Sequence, residues 1–234
     1  MDYGVGSPRR PAHLSQYAKI CLEALSTHGL GDKVSLGGAV GLLYYLDYRS
    51  THDVDAWWAP TATEHDRQAV VQAIEDTLRP LGEVRTRRWG DVISVELSGD
   101  KRVFSFQIAE RSAQLRPAET VPGLGVLMDS FPDLVASKMV ALVERGAPRD
   151  LRDIYVLCHA GLTDARQCWQ WWRERQRLAN SDEDATRARL AVETHLARIA
   201  AHRPVEQIAD EKERLEAERV RAWLRGEFLD ALLD

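Results

Sequence analysis

Asp53 and Asp55 stand two residues apart in a segment that reads as a β-strand, Asp53 to Trp58. A strand sends alternate side chains to the same face, which places the two carboxylates about 6–7 Å apart along the chain. Two like charges there repel, and Asp is depleted in strands, so the pair calls for a compensating cation. Hard oxygen ligands favour Mg²⁺ or Mn²⁺ over zinc. A divalent-metal platform of this kind serves phosphoryl or nucleotidyl transfer, in which the metal neutralises a triphosphate and orients its α-phosphorus. Gly37 and Gly38 fit the same task. Glycines at a strand-to-helix turn let backbone N–H groups approach a phosphate closely, and the following helix adds its positive dipole end. Taken singly, the glycine pair is as well read as a plain turn and the aspartates as the end of a surface strand. Arg49 and Thr51 between them weight the joint reading toward chemistry.

Gly37-Gly38 followed by Arg49-Ser-Thr51-His-Asp53-Val-Asp55 resembles the opening motif of the DNA-polymerase-β-like nucleotidyltransferases, in the version carried by AbiEii-type toxins. Members of that group pair a toxin with an antitoxin. The better understood ones transfer a nucleotide from an NTP, some of them onto the 3′ end of tRNA. The resemblance implies that Asp53 and Asp55 hold Mg²⁺ and that Gly37 and Gly38 cradle the triphosphate.

A second segment points the same way. On a helical wheel Phe131, Leu134, Val135, Met139 and Leu142 share one face, and Lys138 falls near its middle. A buried ammonium needs an anion, either a phosphate, a metal-bound carboxylate or an ordinary acid in a salt bridge. In the next helix Asp150 suits the first turn, where the dipole favours an acid, whereas Asp153 lies a turn further in and is the better functional candidate. Lys138 to Arg145, followed by Arg149-Asp150-Leu-Arg-Asp153, resembles the Lys-x-x-Ala-Leu…Arg-Asp-x-x-Asp signature of the same toxins. That match implies a phosphate contact for Lys138 and an active-site role for Asp153. One departure stands out: Gln107 occupies the position expected for a third carboxylate. A carboxamide is neither a base nor a strong Mg²⁺ ligand. Asp153, Glu96 or Glu110 then takes that work, or the site is silent.

The elements that must position these residues read as follows. Helices are predicted at Ser15–His28, Ala39–Leu46 and Thr63–Leu78, and strands at Val34–Leu36, Asp53–Trp58, Glu83–Arg88, Asp91–Leu97 and Arg102–Ala109. Ser98-Gly99-Asp100 has hairpin chemistry. Further helices follow at Asp133–Glu144 and Pro148–His159, and beyond Thr163 the chain reads as helix, with breaks at Pro204 and Gly226. The fold class is α/β (α+β): a polymerase-β-like core with a mixed sheet over residues 1–160 and a helical C-terminal module over 161–234. The resemblance covers roughly residues 30–158.

The chain has 234 residues, 44% hydrophobic and 29% charged, with a formal net charge of −5. That balance argues against an indiscriminate nucleic-acid coat, but attraction depends on where arginines lie. Arg85, Arg87 and Arg88, with Lys101 and Arg102, read either as a basic edge for RNA or as a charge-protected strand edge. Three cysteines without CxxC spacing, the absence of zinc spacing or a hydrolase triad, a leader over residues 1–13 lacking an apolar h-region, and no apolar run of spanning length predict a reduced, cytoplasmic, soluble protein. Trp57 and Trp58 read as core, with one of them available to stack on a base. Trp169, Trp171 and Trp172 read as docking residues of the helical module.

The expectation is therefore an Mg²⁺- or Mn²⁺-dependent nucleotidyltransferase that uses an NTP, with RNA (tRNA) as acceptor and an antitoxin as partner. Asp53, Asp55, Lys138 and Asp153 carry the chemistry, and Gly37, Gly38, Arg49, Thr51 and Lys138 bind the nucleotide. The alternatives are a catalytically silent nucleotide- or RNA-binding scaffold, for which Gln107 speaks, and a small-molecule nucleotidyltransferase of the antibiotic-modifying kind.

Overall fold

The computed structural model describes residues 6–99, 102–121 and 123–232. The hairpin position Asp100, the basic-edge residue Lys101 and the first five residues of the leader lie outside them. Packing divides the chain into two compact units, one over Gly6–Leu134 and a helical one from Val135 onward. The sequence reading divides the chain later, into a core over residues 1–160 and a helical module over 161–234.

The first unit is built on a seven-stranded mixed sheet. Its strands are β1 (Val34–Leu36), β2 (Asp53–Trp58), β3 (Glu83–Trp89), β4 (Val92–Ser98), β5 (Arg102–Ala109), β6 (Glu119–Thr120) and β7 (Leu127–Met128), in the order β3-β4-β5-β2-β1-β7-β6. β2 runs parallel to β5 and antiparallel to β1, so the aspartate strand is central. The two short strands β6 and β7 escape the sequence reading. Two residues give no alternation, and both strands sit within a Pro- and Gly-bearing stretch.

Strand alternation sorts the sheet into two faces. Val54, Ala56 and Trp58 of β2, Phe104, Phe106 and Ile108 of β5, and Ile93, Val95 and Leu97 of β4 are buried on one. Helices α1 (Gln16–Thr27) and α3 (Glu64–Leu78) supply Ala18, Cys21, Leu22, Leu25, Val70, Ile74 and Leu78 to the same core. Both helices begin where the sequence places a cap. Ser15 accepts from the Ala18 amide, and Thr63 and Asp66 cap each other reciprocally. The other face carries most of the sheet's polar residues, with Trp57, Ala109, Val92 and Trp89 in one row among them. Helix α2 spans only Gly38–Leu43, shorter than the predicted Ala39–Leu46, because the apolar run through Leu46 carries no stop signal.

The helical unit takes in most of α4 (Phe131–Glu144), then α5 (Pro148–His159), α6 (Ala165–Leu178), α7 (Ala185–His202) and α8 (Glu211–Trp223). Asp164, Asp184 and Asp210 each cap the helix that follows, accepting the amide three residues on. Trp169 donates Nε1–H to the Phe228 carbonyl at 2.8 Å and meets Trp172 edge-on, so the tryptophans of α6 knit the helices of their own unit. Gly226 takes φ −102°, ψ −106° and interrupts the last helical segment, at the predicted break. Among the described residues, no helix is long and apolar enough to cross a membrane.

Candidate active site

On β2 the odd-numbered residues are half-buried and the even ones buried, so Asp53, Asp55 and Trp57 share the polar face of the sheet. The Ser105 hydroxyl on β5 donates to Asp53 Oδ1 at 2.7 Å and fixes that carboxylate. Asp55 is held by its neighbour on the other side. The Gly37 amide donates to the Asp55 carbonyl at 2.8 Å, and Gly38 follows at φ +54°. A Cβ on Gly38 would lie 2.1 Å from Asp55 Oδ2, and one on Gly37 would lie 2.5 Å from Trp57 Nε1. Glycine is thus required here twice over: by the left-handed backbone at Gly38 and by the close approach of turn and carboxylate. With α2 only six residues long, the backbone of the turn, more than a helix dipole, carries the cradle.

Thr51 Oγ1 accepts weakly from the Asp53 amide at 3.4 Å, at the entrance to β2. Arg49 donates to the Ser50 carbonyl at 3.2 Å and lies over the Tyr48 ring. Gln107 pairs with Asp55 across the β2–β5 ladder, so the carboxamide occupies the position next to the acid pair. Of the acids expected to substitute for it, Glu96 shares the face through Ser105. Glu110 falls on the opposite side by alternation and is paired with Arg67 of α3.

The donor set suits a small hard cation. Two carboxylates offer part of an octahedron, and Mg²⁺ is commonly held by one or two carboxylates plus substrate phosphates and water. Among the described residues, no cluster of three or more His, Cys, Asp or Glu forms a self-sufficient metal cage. Gly38→Ala would push a methyl group into Asp55 in a backbone conformation that L-residues avoid. We expect transfer to fall about 100-fold with the fold retained, because displacing a reacting group by about 1 Å has that effect; steady-state kinetics beside a thermal melt checks this.

Sequence reasoning missed a buried network beneath the turn. Asp129, which has no exposed surface, accepts from Ser35 Oγ at 2.8 Å and from Arg111 through both carboxylate oxygens, at 2.5 and 3.0 Å. Arg111 also donates to Ser35 Oγ at 2.7 Å and lies 5.5 Å over the Trp57 ring. The Asp129 amide donates to the Leu36 carbonyl at 2.9 Å, so the network clamps the end of β1 where the glycine turn begins. Burial pushes the Asp129 carboxyl above the ordinary carboxylate range, against the pull of Arg111. No local pattern reveals three residues brought together from positions 35, 111 and 129. Ser35→Ala is expected to cost about 1.5–3 kcal/mol, the worth of a hydrogen bond to a charged group, in a urea unfolding curve.

In the helical unit Lys138 is buried, with Nζ 3.2 Å from Asp150 Oδ1 and 3.0 Å from Asp153 Oδ2. Arg145 grips Asp150 as well, at 2.8 and 3.1 Å. The anion that Lys138 requires is therefore supplied by these two carboxylates, both without exposed surface. Asp150 does far more than complement a helix dipole.

A family description, "Nucleotidyl transferase AbiEii toxin, Type IV TA system", matches residues 20–224. None of the curated proteins compared matches the chain. The matched stretch contains β1 to β7, the glycine turn, the acid pair and the Lys138 cluster. A mixed sheet flanked by helices is consistent with a nucleotidyltransferase fold. On a match that spans most of its length, this chain belongs to the AbiEii nucleotidyltransferase toxin family.

Proposed function

We propose that the protein transfers an NMP from an Mg²⁺- or Mn²⁺-bound NTP to an acceptor hydroxyl on RNA, with tRNA as the foremost candidate, and that a cognate antitoxin opposes it in the cytoplasm. The observation that carries this reading is the abutment of Gly38 and Asp55, which puts backbone amides and a carboxylate pair at one point on the polar face. Asp53 and Asp55 would hold the metal, with Ser105 keeping Asp53 in orientation. When bound, the metal would neutralise phosphate charge and polarise the α-phosphorus. The Gly37–Gly38 turn receives phosphate oxygens at amides beyond that of Gly37, which is bonded to the Asp55 carbonyl; Arg49 balances their charge, and Thr51 steadies the start of β2. For Lys138 and Asp153 the reading rests on the family signature alone, which gives the ammonium a phosphate contact in addition to the two carboxylates that balance its charge, with Asp153 orienting it at 3.0 Å. Residues 1–160 are the proposed nucleotidyltransferase core.

In the transfer, the acceptor hydroxyl gives its proton to Glu96, the acid next to Ser105 on the polar face, and its oxygen bonds to the α-phosphorus as the bond to the β-phosphate breaks and pyrophosphate leaves. Gln107 beside Asp55 accepts a hydrogen bond from the incoming hydroxyl without removing its proton. That carboxamide also favours a second reading, a nucleotide-binding scaffold without turnover. Incubation with total RNA and each α-labelled NTP separates the two. Labelled RNA from one NTP supports transfer, whereas calorimetric NTP binding with no labelled product supports the scaffold. Product on a small aminoglycoside-like acceptor in place of RNA points to the antibiotic-modifying alternative.

A further inference from the structure

Register extends the polar face beyond the acid pair in three rows. Asp53, Ser105, Glu96 and Arg85 are successive neighbours across β2, β5, β4 and β3; so are Asp55, Gln107, Ser94 and Arg87, and so are Trp57, Ala109, Val92 and Trp89. Three strand spacings put Arg87 about 14 Å from Asp55 along the sheet. The far ends of the rows are therefore two arginines and a tryptophan on an edge strand. Trp89 is 48% exposed, and the Arg85 and Arg87 side chains are 60% and 55% exposed. Arg88, by contrast, is on the opposite face, opposite Ile93.

An edge strand uses charge to repel other strands, which accounts for the arginines but not for an exposed indole between a turn and a basic row. Ser94, in the middle of the second row, keeps a buried hydroxyl with no hydrogen-bond partner among the described residues. Arg85 pairs with Glu83 at 3.3 Å, both exposed, and the exposed Arg87 with the largely buried Glu96 at a long 3.5 Å; the exposed pair is weak, and both guanidinium groups can add a phosphate. Guanidinium groups beside an exposed aromatic ring make the combination that binds single strands: charge follows the backbone and the ring stacks on a base.

Resting on the transfer reading above, we propose that the β3 edge is the platform for the single-stranded 3′ end of the acceptor RNA. Arg85 and Arg87 contact phosphates and Trp89 stacks on a base, so the terminal hydroxyl is delivered along the rows toward Asp55. Positive charge at the edge and carboxylates at the centre also fix the polarity: the backbone is held at β3 and only the end approaches the acids.

The test uses the full chain and a fluorescent single-stranded RNA of about 12 nucleotides with a free 3′ hydroxyl, read by anisotropy at two salt concentrations. Arg85→Glu with Arg87→Glu is expected to weaken binding at least about tenfold and to flatten its salt dependence. Trp89→Ala is expected to weaken it about fivefold or more. Arg88→Glu, on the other face, should leave it within about twofold. Equal losses from Arg88→Glu and the double reversal would overturn the proposal, as would wild-type affinity in the first two variants. Arg85→Ala with Arg87→Ala replaces the reversal should its melting point fall. Magnesium–NTP binding is measured on the same samples by calorimetry. A wild type that binds NTP but not RNA overturns this proposal alone, whereas one that binds neither overturns the transfer reading with it.

Discussion

Replacing Asp53 and Asp55 together by Ala is expected to lower nucleotide transfer by about a thousandfold or more, equivalent to roughly 4 kcal/mol of barrier. The two carboxylates act as a unit, so the loss in the double variant should be smaller than the product of the two single losses. Stability should not follow activity down. The two acids stand side by side on one face of a strand, and removing like charges relieves repulsion against the lost Ser105–Asp53 bond. A melt at or above the wild-type temperature, beside lost transfer with each labelled NTP, is the expected pair of results. Product that persists in the double variant would refute the assigned site.

The second large effect is on stability. Lys138→Met removes the ammonium that Asp150 and Asp153 share, while both carboxylates remain fully buried. Breaking a buried ion pair from one side costs about 3–5 kcal/mol, far more than an exposed pair. For a chain of this length the melting temperature should drop by roughly 10–15 °C. Calorimetry checks the size; an unshifted melt would place Lys138 in solvent.

The long elements were legible in the sequence because their signals are local. Val34–Leu36 and Asp53–Trp58 alternate or run apolar between turn residues, and the helix from Thr63 shows its buried stripe at Val70, Ile74 and Leu78. Asp53 and Asp55 were legible for the same reason, since a period of two needs no tertiary information. The burial of Lys138 was visible on a helical wheel, but its partners were only half visible. Asp153 looked unexplained, whereas Asp150 had an ordinary explanation in the helix dipole and proved equally buried. What stayed hidden depends on register. Ser35, Arg111 and Asp129 meet only because β1 pairs with β7, a strand of two residues. Likewise, Arg85, Arg87 and Arg88 look like one basic cluster in the sequence, and only the pleat separates Arg88 from the other two.

The central claim is that the acid pair and the glycine turn form one nucleotide site. Crystals grown with Mn²⁺ and a non-hydrolysable NTP test it most directly, through the anomalous scattering of the metal. The expected result is a peak about 2.1 Å from carboxylate oxygens of both Asp53 and Asp55, with the triphosphate against the Gly37–Gly38 backbone. A peak at Asp150 and Asp153 instead, or a triphosphate bound away from the glycine turn, would contradict it.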